Sequence, residues 1–175
     1  MTTKVISLSP GAKNLIRYIF DSPFLPGIFS AVITIIFSVL LGYILISETT
    51  ASGNETYFRT TMGALALTVI VPLIETLVFQ TLVIVVTSKI TQSKAINIFL
   101  SSAVFSAAHV SSVESWSVIF EGIILALIPG VIFAHISFKN IIEKQIKKSI
   151  IYTWAAHSTH NVLVLVVYSC LVLKF

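Results

Sequence analysis

Charge is what this sequence has least of. Asp, Glu, Lys and Arg make up 10% of its 175 residues, where soluble domains carry about 25%. Hydrophobic residues make up 56%, and mean hydropathy is +0.99. A chain this poor in charge reads as an integral membrane protein, a single domain over residues 1–175. Cysteine is nearly missing too. The lone Cys170 excludes an internal disulfide and reads as a small apolar helix residue. The local zinc motif H-E-x-x-H is absent, so any metal site must be assembled from separate helices. Internal repeats are absent. The net charge of +4 does not point to nucleic acid, because basic residues in a membrane protein mostly set topology.

The apolar residues gather in long runs. A membrane-spanning helix needs about 20 of them, and five segments are predicted: Pro26–Ile46, Thr61–Thr87, Ala95–Ser111, Trp116–Phe138 and Ser149–Leu173. The third is short. Ser47–Thr60, with TTASGNET at its centre, reads as an outer loop. Lys4, Lys13, Arg17, Lys89, Lys94, Lys139, Lys144, Lys147 and Lys148 fall on one side of this division, and Arg59 and Lys174 on the other. Nine against two places the N-terminus in the cytoplasm and the C-terminus outside a cell (inner) membrane. The first apolar run is too long for a cleavable signal and reads as an anchor. Before it, Leu15, Ile16, Ile19 and Phe20 alternate with Lys13 and Arg17, as in a short amphipathic helix on the inner surface. The expected fold is therefore all-α: a polytopic transmembrane bundle of about five spans plus an N-terminal interfacial helix.

Against this apolar background the polar residues inside the spans stand out. A central charge costs at least about 2.5–3.5 kcal/mol to insert, so such groups face a bundle interior or a water-filled cavity. In VPLIETLVFQTLVIVV, Val71–Val86, the one charge is Glu75, followed by Phe79 and Gln80. The third segment carries His109, one turn after Phe105. The fourth carries Glu121 near its outer end and His135 near its inner end, where each can reach the interface. The fifth carries His157, His160 and Asn161. Residues four apart share a helix face, so His157 and Asn161 point the same way. Pro72 predicts a kink beside Glu75, and Pro129-Gly130 a kink or break in the fourth segment.

These side chains have complementary chemistry. Glu75 can act as general base towards a water, with an imidazole orienting that water or passing a proton to a leaving amine. A second imidazole and a carboxamide can donate to a developing oxyanion. The set Glu75, His109 and His157 could instead hold zinc with one position open. Either chemistry requires the three to come level within the membrane.

The motifs resemble those of the CAAX protease and bacteriocin-processing (CPBP, or Abi) family of intramembrane proteases. The family's E-E-x-x-x-R aligns with Glu75-Thr76-Leu77-Val78-Phe79-Gln80. Its F-x-x-x-H is matched by Phe105-Ser106-Ala107-Ala108-His109, and its H-x-x-x-N by His157-Ser158-Thr159-His160-Asn161. The resemblance covers about residues 60–170, the protease-like core. It implies that Glu75 activates water, that His109 assists, and that His157 and Asn161 support the oxyanion and the site geometry. Phe79, Phe105 and His160 would be supporting residues. Thr76 and Gln80 replace a glutamate and an arginine together, which removes a buried ion pair without stranding either charge. The resemblance favours a metal-independent glutamic-type mechanism.

The expected function is thus an intramembrane endopeptidase acting on a membrane-associated peptide or protein within the lipid bilayer, leader-peptide or bacteriocin processing included. Two other readings stand beside it. One is an inactive family member serving as an immunity or scaffold protein, and the other a small proton-coupled transporter.

Overall fold

The computed structural model describes residues 9–40, 61–109 and 116–172. The predicted outer loop Ser47–Thr60, the third loop with Glu114 and the end of the first apolar run lie outside them, as does the side chain of Glu121. Every element among the described residues is a helix. The protein is all-helical, as expected. Helix α1 is Pro10–Asp21, with Pro10 in its first turn and Ser9 capping the amide of Ala12. Helix α2 is Leu25–Leu40. The axes of the two differ by 103°, so the chain turns sharply at residues 22–24.

No residue of α1 is buried. Leu15 and Tyr18 are exposed, as in an interfacial amphipathic helix. Its end is tied to the bundle by Asp21, which accepts a hydrogen bond from Lys139 and has Arg17 3.5 Å away. The Lys139 ammonium holds the Asp21 carboxyl below its usual value of 3.8.

Helix α3 runs from Thr61–Leu65 to Val83–Ile90, with π-helical stretches at Ala66–Ile70 and Thr76–Leu82 on either side of Val71–Glu75. A three-residue connection leads to α4, Lys94–Ala108. The buried Asn97 clamps that connection. Its amide donates to the carbonyls of Thr91 and Ser93, and its carbonyl accepts from Thr87. Helix α5 is Trp116–Ile142 and α6 is Ile146–Val172. Their connection is a Schellman turn. Lys144 takes φ 58°, and its amide and that of Gln145 donate to Ile141 and Asn140.

The packing is that of a bundle in lipid. Large apolar side chains such as Ile36, Ile70, Ile74 and Leu82 face outward, while Ser101, Ser102, Ser137, Ser149 and Thr153 are buried between helices. Ser137 and Ser149 hydrogen-bond across α5 and α6 at 2.9 Å. A Cβ on Gly27 would overlap the Ala156 carbonyl and stand 2.8 Å from the Thr159 Cβ, so glycine is what lets α2 close on α6. A core of Phe105, Ile132, Phe133, Ile136 and Ala156 joins α4, α5 and α6.

Among the described residues, three helices are long and apolar enough to cross a membrane: Gly63–Ile90, Gly122–Ile142 and Ile146–Val167. The bent pair α1–α2 makes four if it counts as one span. The third expected span, α4, has 15 residues, or about 22 Å at 1.5 Å per residue, short of a hydrocarbon core of about 30 Å. The protein is thus a multi-pass membrane protein with three to four described candidate spans. Helix α5 continues through Pro129. Pro72 is absorbed by the change of helical register in α3 rather than by a break.

Candidate active site

Three of the singled-out side chains meet between α3, α4 and α6. Glu75 closes the last α-helical turn before the second π stretch of α3. π-helical insertions re-aim side chains and are frequent at functional sites. His109 caps the C-terminus of α4, one turn beyond Phe105, and His157 lies midway along α6. His109 Nε2 stands 3.7 Å from one Glu75 oxygen, and His157 Nε2 stands 3.3 Å from the other. Side-chain exposure is 34% for His109, 18% for Glu75 and 2% for His157. The site is therefore open on the His109 side and closed behind His157.

One hydrogen-bond partner assigns a ring proton. His109 Nδ1 lies 2.8 Å from the Phe105 carbonyl, which can only accept, so Nδ1 carries a proton and Nε2 is the ring atom turned towards Glu75. At 3.7 Å Nε2 and the carboxylate are too far apart for a direct hydrogen bond, a separation that one water can bridge. His157 turns Nε2 to the other carboxylate oxygen, at 3.3 Å. Its ring stacks on Phe133 at 4.6 Å and meets Phe105 edge-on at 5.5 Å. Phe105 also lies 4.3 Å from the His109 ring and 6.3 Å from Phe79, so one aromatic ring sets the separation of both histidines. Gly130 makes room for it, since a Cβ there would stand 3.0 Å from the Phe105 ring.

The remaining sequence-derived candidates lie around this trio. Asn161 shares the His157 face, as its spacing requires, but its amide donates to the Leu67 carbonyl at 3.0 Å. The reason lies in α3. The Val71 amide reaches back five residues to Ala66, and the next bond in that register would need an N–H from Pro72, which has none. Asn161 serves the carbonyl left over. Trp154 Nε1 donates to the Val69 carbonyl at 2.9 Å. Thr76 and Gln80 are fully buried, and Gln80 accepts a hydrogen bond from Ser101 at 2.7 Å. His160 turns to α2, where Ser30 lies 3.0 Å from its Nδ1, and meets the Phe133 ring edge-on. His135 packs on Phe20 of α1, away from the trio.

Ser30, Trp154, Phe133 and Ser101 carried no signal in the sequence, because none belongs to a spaced motif. Among the described residues, no three His, Cys, Asp or Glu side chains are arranged to hold a metal ion. No step below is routed through a metal.

A family model described as type II CAAX prenyl endopeptidase Rce1-like matches residues 57–163. No curated protein and no solved structure matches the chain. The matched region takes in α3, α4 and α5, α6 through Asn161, and all three motifs. With that match over well more than half of its length, the chain belongs to the Rce1-like family of type II CAAX prenyl endopeptidases, intramembrane proteases of the CPBP group.

Proposed function

We propose that this protein is a glutamic-type intramembrane endopeptidase that hydrolyses a peptide bond in a membrane-associated peptide or protein. The observation that carries this reading is the Glu75 carboxylate bracketed by Nε2 of His109 and Nε2 of His157 from two other helices. A water between Glu75 and the His109 lone pair donates one hydrogen to each. Glu75 takes a proton, and the hydroxide adds to the scissile carbonyl. The Nε2–H of His157, freed as the carboxylate is neutralised, faces the oxyanion that develops. The proton on Glu75 passes to the leaving amine, giving an acid and an amine as products. Asn161 contributes by holding the backbone that carries Glu75. The substrate enters from the open His109 side. Charge placement supports a cell membrane location with a cytoplasmic N-terminus.

The test is cleavage of quenched fluorescent peptides, with and without a prenylated C-terminal cysteine, in liposomes. Glu75→Gln and His109→Ala should each lower the rate by about 10²–10⁴-fold, the usual worth of a positioned acid or base. Full cellular function in Glu75→Gln would reject the protease and favour a scaffold. A Glu75-dependent proton flux without cleavage would favour a transporter.

A further inference from the structure

Behind the Glu75–His157 contact, two facing helical ridges carry polar atoms that the fold pairs with nothing. On α3 these are Thr76 Oγ1 and Gln80 Nε2, and on α6 they are Thr153 Oγ1 and His157 Nδ1. Thr76, Gln80 and Thr153 are 0% exposed and His157 is 2% exposed. Each pair is spaced by four residues, one helical turn. The contacts Asn161–Leu67 and His157–Glu75 run in opposite sequence sense, so α3 and α6 are antiparallel. One turn beyond His157, Thr153 therefore comes level with the stretch from Thr76 to Gln80.

Thr81 Oγ1 and Ser158 Oγ also lack a partner, but several other hydroxyls of the bundle satisfy themselves. Thr68 donates to Ala64, Thr159 to Ala155, Ser102 to Ile98 and Ser106 to Ser102, all at 2.7–2.8 Å. Thr76 and Thr153 have the same local option and do not take it. Gln80 spends its carbonyl on Ser101 and keeps its amide inward. In the tautomer with Nε2–H towards Glu75, the buried and unpaired Nδ1 is a lone pair that needs a donor. Two hydroxyls, one amide donor and one ring acceptor are the partners that an internal water uses, since such waters typically make about three hydrogen bonds.

We propose that Thr76, Gln80, Thr153 and His157 line an internal water-binding site behind the catalytic pair. The water accepts from the Gln80 amide, exchanges hydrogen bonds with the two hydroxyls and donates to His157 Nδ1. It thereby holds the ring in the tautomer that points Nε2–H at Glu75. Thr76 and Thr153 are positioning residues that act through His157.

Valine is the isostere that separates the cases. If the hydroxyls were unpaired in a dry core, Thr76→Val and Thr153→Val would remove a desolvation penalty and leave Tm unchanged or raised. If they hold a water, each should lower the Tm of the detergent-solubilised protein by about 2–4 °C. Thr153→Ser should restore it, and the double valine variant should lose less than the sum, because both hydroxyls serve one water. A raised or unchanged Tm in both single variants overturns the site. The catalytic consequence rests on the protease reading: kcat should fall roughly tenfold in Thr153→Val with KM unchanged. A lowered Tm with no cleavage by any form of the protein would keep the water site and sink the protease. Unchanged kcat with a lowered Tm would overturn the positioning role.

Discussion

Glu75 is a single carboxylate serving two imidazoles, and their unequal surroundings divide the work. His109 is partly open and pinned by its own helix end, whereas His157 is closed in by aromatic rings. Asn161 differs from both, because its amide is committed to a carbonyl that Pro72 cannot serve. Two expectations follow at this scale. Asn161→Leu should destabilise the protein by about 1–3 kcal/mol, the cost of an unpaired buried carbonyl. In a Pro72→Ala background, which returns an N–H to α3, that cost should shrink below about 1 kcal/mol. Denaturation of the four proteins measures the coupling, and equal costs in both backgrounds would exclude it. Exhaustive chelation should leave peptide cleavage intact. Loss on chelation with recovery in zinc would replace the glutamate base by a metal-bound hydroxide.

Helix α3 shows how an element carries a site. Its π stretches on either side of Val71–Glu75 turn Glu75, Thr76 and Gln80 inward while Ile70, Ile74 and Leu82 stay towards lipid. The cost is the stranded Leu67 carbonyl, which α6 meets with Asn161. Helix α5 ends with a different compromise. Lys144 occupies a left-handed position (φ 58°) that favours glycine. Lys144→Gly should raise stability by about 1 kcal/mol, read as an upward shift in Tm with cleavage unchanged. A fall in Tm would mean that the lysine makes contacts worth more than the backbone strain.

For the molecule as a whole, α1 lies at the edge of the helical bundle, held by Phe20 packed on the core and on His135 and by the Asp21–Lys139 pair. Asp21 has a lowered folded-state pKa because Lys139 donates to it. The linkage follows from that sign. The contribution is present above the unfolded value near 3.8 and is lost as pH falls through the lower folded value. Acidification should therefore release α1, seen as faster proteolysis between α1 and α2 below about pH 4 than at pH 7. Asp21→Asn should show the fast rate at both values. The effect on global stability should be small, since both partners are solvent-accessible.

Much of this was legible along the chain. Charge scarcity and long apolar runs determined a helical membrane protein, because backbone groups in lipid must be satisfied within each helix. The price of intramembrane polarity singled out Glu75, His109 and His157 before any contact was known. Helical spacing put His157 and Asn161 on one face. Tertiary structure alone decided where those faces turned. It sent the Asn161 amide to Leu67, joined His160 to Ser30 on α2, buried Thr76 and Gln80 opposite α6, and left α4 too short to span unaided. These outcomes depend on helix tilt, rotation and the register change at Pro72. They are set by packing between segments distant in sequence, and no local pattern of residue types encodes them.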